Sequence, residues 1–358
     1  MGKAHAEWLR VDRIAPSLYL RVPMNKPADG DLMSARLLPA KDRLTICFAH
    51  VAYRMGERFV LRNTGMNWFE LHSLDELKAR IADADVLLCS GLWRNELIAH
   101  APRLAFIQSI SAGTEQYARD ALGAAGIRGA SAQGVNERAV AEHAIALILA
   151  MARQIPQARD NQAAKHWRGM IGDIAKREDE LGGKTLLIAG MGRIGSRLAT
   201  LAKAFDMRVI ATRRDPSRGA GAADKLVGQD GLLGVLPEAD FVALTCPLTP
   251  QTENLIDARA LAAMKPSAYL VNVARGRVVD EPALVEALQA GRLAGAALDC
   301  VWDEPLPATS ALWGVPNVLI TPHTAGETRR YEDRVIDLLL ENLGRMWRGE
   351  SALKNQFV

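Results

Sequence analysis

Apolar residues along the chain gather into short, strand-length runs. LTICFA (44–49), DVLLCS (85–90) and RLAFIQSI (103–110) occupy the first third. TLLIAG (185–190), MRVIAT (207–212), ADFVALT (239–245), AYLVNV (268–273), GAALDC (295–300) and NVLITP (317–322) follow later. Nearly continuous runs of this kind fit strands buried on both faces. Helical spacing fills the gaps. SLDELKARIADA (73–84) starts at Ser73 as N-cap with Glu76 three residues on, a capping box, and SAGTEQYARDALGAAG (111–126) reads as a turn and a helix. Strands alternating with helices predict parallel sheets covered by helices, here as two α/β units in sequence.

Three segments stand outside this rhythm. The first 40 residues are irregular, with Pro16, Pro23, Pro27 and Pro39. NERAVAEHAIALILAMARQI (136–155) carries Val140, Ala144, Ile145, Leu147, Ile148 and Met151 and has little polar face, which predicts a long helix buried between lobes or subunits. The polar stretch IGDIAKREDELGGK (171–184) reads as surface. RYEDRVIDLLLENLGRMWRG (330–349) is an amphipathic closing helix, expected to cross back to the first unit.

With 358 residues there is room for two cores. A net charge of +3 without a long basic run argues against a nucleic-acid partner. No uncharged run is long enough to span a bilayer, and MGKAHAEWLR lacks an apolar signal core, so no membrane partner and a cytoplasmic location are expected. Cys47, Cys89, Cys246 and Cys300 are scattered without metal spacing, which fits a reducing compartment and predicts no metal.

Gly190, Gly192 and Gly195 form GMGRIG. Such a string alone is weak, but this one follows the strand TLLIA and opens the helix RIGSRLATLAKAF, the context of a dinucleotide turn. The amides of Arg193 and Ile194 would then meet a pyrophosphate at the helix N-terminus. An acid is expected about 20 positions on to hold the adenosine ribose. The chain offers Arg213 and Arg214 in VIATRRDPSR instead. A guanidinium pairs with a 2′-phosphate, so the cofactor expected is NADP in preference to NAD, with Arg214 and Ser217 assisting. The alternative is that one arginine stacks on adenine and the other is solvated, with little preference.

Three further segments sit just beyond strand ends, where open α/β sheets bind ligands. They place Arg275 after AYLVNV, Asp299 with Glu304 in LDCVWDEPLP, and His323 after NVLITP. Each alone has a bland reading as a surface charge, a chain terminator or an ordinary loop histidine. Together they are a working set for carbonyl reduction. Histidine delivers a proton near neutral pH, a carboxylate orients it, and arginine grips a substrate carboxylate.

These motifs (AGMGRIGSRLA, CPLTPQTENLI, NVARGRVVDEPALVEAL, LDCVWDEPLP and TPHTAG) make the chain resemble the D-isomer-specific 2-hydroxyacid dehydrogenase family over about residues 105–326. The resemblance implies two Rossmann-like or flavodoxin-like lobes with parallel sheets. The cofactor lobe (136–322) would be inserted into a discontinuous substrate lobe (1–135 plus 323–358). It implies hydride transfer between NADP(H) or NAD(H) and a 2-oxoacid/D-2-hydroxyacid pair, of which glyoxylate and hydroxypyruvate are examples. By resemblance Arg275 binds the substrate carboxylate, His323 is the acid and base, and Glu304 partners it. Asp299 lies on the nicotinamide side. Thr245, Cys246, Pro247 and Thr252 line the adenosine half, and Val273, Ala274, Ala325 and Gly326 flank the nicotinamide. The loop Ser111, Ala112 and Gly113 offers backbone donors to the substrate. Trp302 departs from the usual pattern and either reshapes the pocket or fills core. Most members are dimers through the helix matching 137–155, so a homodimer is expected. A nucleotide-sensing, corepressor-like binding protein is the alternative on the same fold, disfavoured by the lack of a long disordered extension. Formate oxidation is a third reading for which the chain does not argue.

Overall fold

The computed structural model describes residues 35–358; the expected irregularity around Pro16, Pro23 and Pro27 lies outside the described residues. Among the described residues, twelve strands form two sheets. The first contains β1 (Thr45–Ala49), β2 (Asn67–Leu71), β3 (Val86–Cys89), β4 (Phe106–Ser109) and β5 (Arg128–Ala130), in the order β2-β1-β3-β4-β5. The second contains β6 (Thr185–Ala189), β7 (Arg208–Arg213), β8 (Lys225–Gly228), β9 (Phe241–Leu244), β10 (Tyr269–Asn272), β11 (Gly295–Leu298) and β12 (Val318–Ile320), in the order β12-β11-β10-β9-β6-β7-β8. Every pairing within both sheets is parallel. Parallel strands need crossovers, and the helices between them bury both faces.

The order of the second sheet reverses at β6. Its neighbours are β7, next in the chain, on one side and β9 on the other. The crevice outside the carboxyl ends at such a reversal is where open α/β sheets take ligands. The turn after β6 is the glycine turn.

The sequence rhythm reproduces the central strands and the capping box: Ser73 Oγ accepts the Glu76 amide at 3.2 Å and the Glu76 carboxylate accepts the Ser73 amide at 3.0 Å. The long helix is shorter than expected. It spans Glu137–Ala152 and stops before Gln154, whose φ of 49° begins a second helix, Ile155–Ala163, bent away by 67°. Pro156 explains the break: it has no N–H to continue the ladder and its ring would meet the Ala152 carbonyl, whereas in the first turn of a new helix no such bond is needed. Ala141, Ala144 and Ile148 of the first helix are fully buried, in a core shared with β6, β7 and β9 residues such as Leu186, Val209 and Ala243. Among the described residues no single helix is long and apolar enough to cross a membrane.

The closing helix, Tyr331–Trp347, joins the core of the first sheet. Val335, Ile336, Leu339 and Leu343 pack with Leu44, Ile46, Phe48, Val86 and Leu88. Tyr331 donates its hydroxyl to the Ile110 carbonyl at 2.5 Å, and Asn342 donates to Gln108 at 3.0 Å inside the same core. Both ends of the described chain therefore build one lobe, and the seven-stranded lobe lies between them in sequence.

Candidate active site

The glycine turn is built by close contact. Gly190 has φ 111°, and a Cβ there would lie 2.7 Å from the Cys246 amide nitrogen; one on Gly195 would lie 2.4 Å from the Gly190 carbonyl. Those two glycines let the turn tighten and the helix Arg193–Lys203 sit against β6. A Cβ on Gly192 meets nothing within 4 Å. That open face, at the N-terminus of an 11-residue helix, is a cradle that a pyrophosphate fits. The turn is braced from β9, where Thr245 donates its hydroxyl to the Gly190 carbonyl at 2.8 Å. Cys246 is buried against it. Arg193 offers its amide to the cradle, while its guanidinium reaches across to the Gln133 carbonyl at 3.2 Å. Ile194 is half-buried against the lobe core.

Arg213 ends β7 and lines a cavity of about 1130 Å³ together with Gly192, Arg193, Ser196 and Arg218. It donates to the carbonyl of Gly219 at 2.9 Å, which fixes the loop that carries Arg218. Arg218, unremarked in the sequence, is thus a further cation here beside Arg193 and Arg213. Arg214 is exposed and does not line that cavity. Ser217 donates its hydroxyl to Asp215 at 2.6 Å, a contact that holds the Asp215 carboxyl below its usual range. Thr252 is buried and donates to the Pro247 carbonyl at 2.7 Å, so its hydroxyl staples the Pro247–Thr252 loop.

Arg275, Asp299 and His323 follow β10, β11 and β12, neighbours in the sheet, and so arrive at one rim. Asn272, the last residue of β10 and almost fully buried, shapes the loop that carries Arg275 and ties it to the end of β11 through the Cys300 carbonyl at 3.4 Å. Its amide donates to the Arg275 carbonyl at 3.0 Å and its oxygen accepts the Ala274 amide at 3.0 Å. A polar residue inside the apolar run AYLVNV was the available signal. Val273 and Ala274 are buried beside it. Trp302 fills the gap between loops: its indole donates to the Val279 carbonyl at 2.6 Å and Arg277 lies over its ring at 5.3 Å.

The Asp299 carboxylate is consumed by the turn that carries His323. It accepts Thr321 Oγ1 at 2.6 Å, the Thr324 amide at 3.0 Å and the Ala325 amide at 3.1 Å, with His143 Nε2 at 3.5 Å. The partner that a buried charge requires is therefore this set of donors. The residue anchors the turn. Gly326 closes the turn against Asn136, at which a Cβ would come within 2.7 Å of the side-chain amide.

His323 itself has φ 53°, the left-handed region that costs a non-glycine residue energy and that the anchored turn enforces. Its Nδ1 lies 2.6 Å from Glu304 Oε2. Contact with Cys300, then the hydrogen bond to Glu304, favours the imidazolium against the cost of burial and lifts His323 to about 10. Burial would raise Glu304, but the hydrogen bond and charge of His323 outweigh it and hold the carboxyl below its usual value. Glu304 is steadied by the Val301 amide at 3.1 Å.

The first lobe contributes the turn after β4. Ser111 donates to the Gly113 carbonyl at 3.1 Å, and Ser90 Oγ accepts the amides of Ile110 at 3.1 Å and Ser111 at 2.9 Å. Ser90 and this hydroxyl network escaped sequence reading, since lone serines carry no pattern. Arg275 reaches this turn from the other lobe: a Cβ on Gly113 would lie 3.0 Å from its Nη2. The Arg275 guanidinium thus lies against the Gly113 turn and near enough to the Glu304 carboxylate for its charge to act there.

A parallel two-lobed fold with a pyrophosphate cradle and an acid–base pair at one sheet rim defines a dinucleotide-dependent dehydrogenase. Residues 145–325 match the family described as D-isomer specific 2-hydroxyacid dehydrogenase, NAD binding domain. The chain is 38% identical over 271 residues to a glyoxylate reductase of Aeropyrum pernix, covering 74% of this chain and 80% of that protein. It resembles the solved NADPH-dependent glyoxylate/hydroxypyruvate reductase of Sinorhizobium meliloti with NADP and malonate (TM-score 0.73, 27% identity, 88% of this chain and 97% of that one). It also resembles the NAD-dependent formate dehydrogenase of Staphylococcus aureus with NAD (TM-score 0.73, 26% identity, 88% and 99%). The chain belongs to the D-isomer specific 2-hydroxyacid dehydrogenase family and is an NAD(P)-dependent 2-hydroxyacid dehydrogenase.

Proposed function

We propose that the protein reduces small 2-oxoacids of the glyoxylate and hydroxypyruvate type with NADPH, and oxidises the matching D-2-hydroxyacids in reverse. The observation that carries this reading is the His323–Glu304 pair, 2.6 Å apart, on the rim that also holds Arg275. The cofactor supplies a hydride to the carbonyl carbon. Arg275 and the backbone turn at Ala112 and Gly113 hold the substrate carboxylate. His323 gives its proton to the carbonyl oxygen as the hydride arrives and becomes neutral imidazole. Glu304 stays ionised and keeps the ring in register.

Preference for NADP is supported by Arg213 and Arg218 lining the cavity that Gly192 opens, where guanidinium groups suit a phosphate better than a ribose hydroxyl. The test is a panel of small 2-oxoacids assayed with NADPH and with NADH. Turnover of glyoxylate or hydroxypyruvate with higher kcat/KM for NADPH is expected. No turnover of any member would sink the activity, and an NADH preference would sink the cofactor reading.

The expected homodimer is supported by an apolar surface just past the long helix. Ile155, Trp167, Met170 and Ile174 are 55%, 97%, 101% and 78% exposed. Large apolar side chains left this exposed within one stretch of chain fit a surface that a second copy covers. Light scattering should give twice the chain mass, and the chain mass for a Trp167→Glu/Met170→Glu variant. A monomeric parent would refute the assembly. A cytoplasmic location is supported by four cysteines that are all buried and unpaired.

A further inference from the structure

The cysteines carry no metal spacing in sequence, but the fold brings one of them to the acid–base pair. Cys300 follows β11 directly, and its sulfur, a Glu304 carboxylate oxygen and a His323 ring nitrogen all lie within 4.8 Å of one another. We propose that Cys300, Glu304 and His323 form a binding site for a soft divalent metal ion of the zinc class, and that the ion silences the enzyme by occupying its proton donor.

The ligand types decide the class of ion. A thiolate, an imidazole and a carboxylate are each ligands Zn²⁺ accepts, and three protein ligands with one open position is a common zinc arrangement. Magnesium and calcium take oxygen ligands and have no use for sulfur. Bonds of about 2.0–2.3 Å place tetrahedral ligand atoms roughly 3–4 Å apart, so modest side-chain movement closes the observed triad around an ion.

Each ligand is already steadied. Cys300 is 2% exposed and its thiol faces the Ala274 carbonyl at 3.5 Å, so it forms the floor. Glu304 is held by the Val301 amide. His323 stands on the turn that Asp299 anchors. The side chains of His323 and Glu304 are 43% and 37% exposed, which leaves a way in from the cleft.

Coordination releases the thiol proton and the proton shared by His323 and Glu304. The ion takes the place of that shared proton, with no change of oxidation state. Only the inhibition rests on the reading of His323 as proton donor; the binding itself does not.

The full chain, stripped with EDTA, is titrated with CdCl₂ and ZnCl₂, and Cys300→Val and Cys300→Ser are taken through the same titrations. Melting curves establish that both variants fold. The parent should show the ultraviolet charge-transfer band of a cadmium–thiolate bond, saturating at one ion per chain. ZnCl₂ should suppress 2-oxoacid reduction, EDTA should restore it, and MgCl₂ should do neither. Both variants should lose the band. Their half-inhibiting zinc concentration should rise at least about tenfold, each rate being normalised to the same protein's rate in EDTA. No band in the parent, or an unchanged band and zinc response in both variants, overturns the site. A band with unaffected turnover upholds the site and overturns the proton-donor role of His323.

Discussion

The two lobes contribute to one cleft in different chemical currencies. The seven-stranded lobe presents side chains: in the proposed reaction Arg213, Arg275, Glu304 and His323 act through groups that their residue names disclose. The five-stranded lobe presents backbone, a turn at Ala112 and Gly113 propped by the hydroxyls of Ser90 and Ser111. The difference teaches which kind of function a sequence displays. A cation or an imidazole advertises itself at a strand end, whereas a backbone donor depends on the turn that aims it.

If the side-chain lobe carries the chemistry, its acid should be the costliest loss. His323→Ala should lower kcat by a factor on the order of 100 or more, with cofactor affinity nearly intact. Steady-state kinetics and cofactor fluorescence titration measure both, and retained turnover would refute the role. The backbone lobe should answer in binding instead. Gly113→Ala places a Cβ 3.0 Å from Arg275 Nη2 and 2.5 Å from Glu115 Oε2, both movable side-chain ends. The fold should survive while KM for the 2-oxoacid rises roughly tenfold, about 1.4 kcal/mol of substrate binding. An unmoved KM would show that the turn and the guanidinium do not share the substrate. Arg213→Asp should be subtler still, moving the NADPH-to-NADH ratio of kcat/KM toward NADH with kcat little changed. An unaltered ratio would remove Arg213 from phosphate recognition.

Legibility in the sequence followed the same physics. Central strands such as β3, β4, β6 and β9 are buried along their whole length and read as apolar runs. The unread strands are β2, β5 and β8, all at sheet edges. An edge strand pairs on one side only and needs no continuous apolar run; β8 is half-buried at every position. Within the candidate site, motif residues were readable because the chemistry proposed for them lies in their own side chains. Asn272, His143, Ser90, Arg218 and Cys300 were not, because each matters through a neighbour that only the fold supplies. Asp299 shows the boundary: its need for partners was visible, but that those partners are the Thr324 and Ala325 amides was not.

The central claim is that His323, kept protonated by its neighbours, is the proton donor of the reduction. Its raised value means that the imidazolium persists above neutrality, so reduction should hold from neutral pH up to about 10 and fall beyond it. The most direct measurement is the pH profile of kcat/KM for 2-oxoacid reduction in the parent and in Glu304→Gln. The alkaline limb should move to lower pH when the carboxylate is lost, toward the ordinary histidine value of about 6.5. An alkaline limb at the same pH in both proteins would contradict the account.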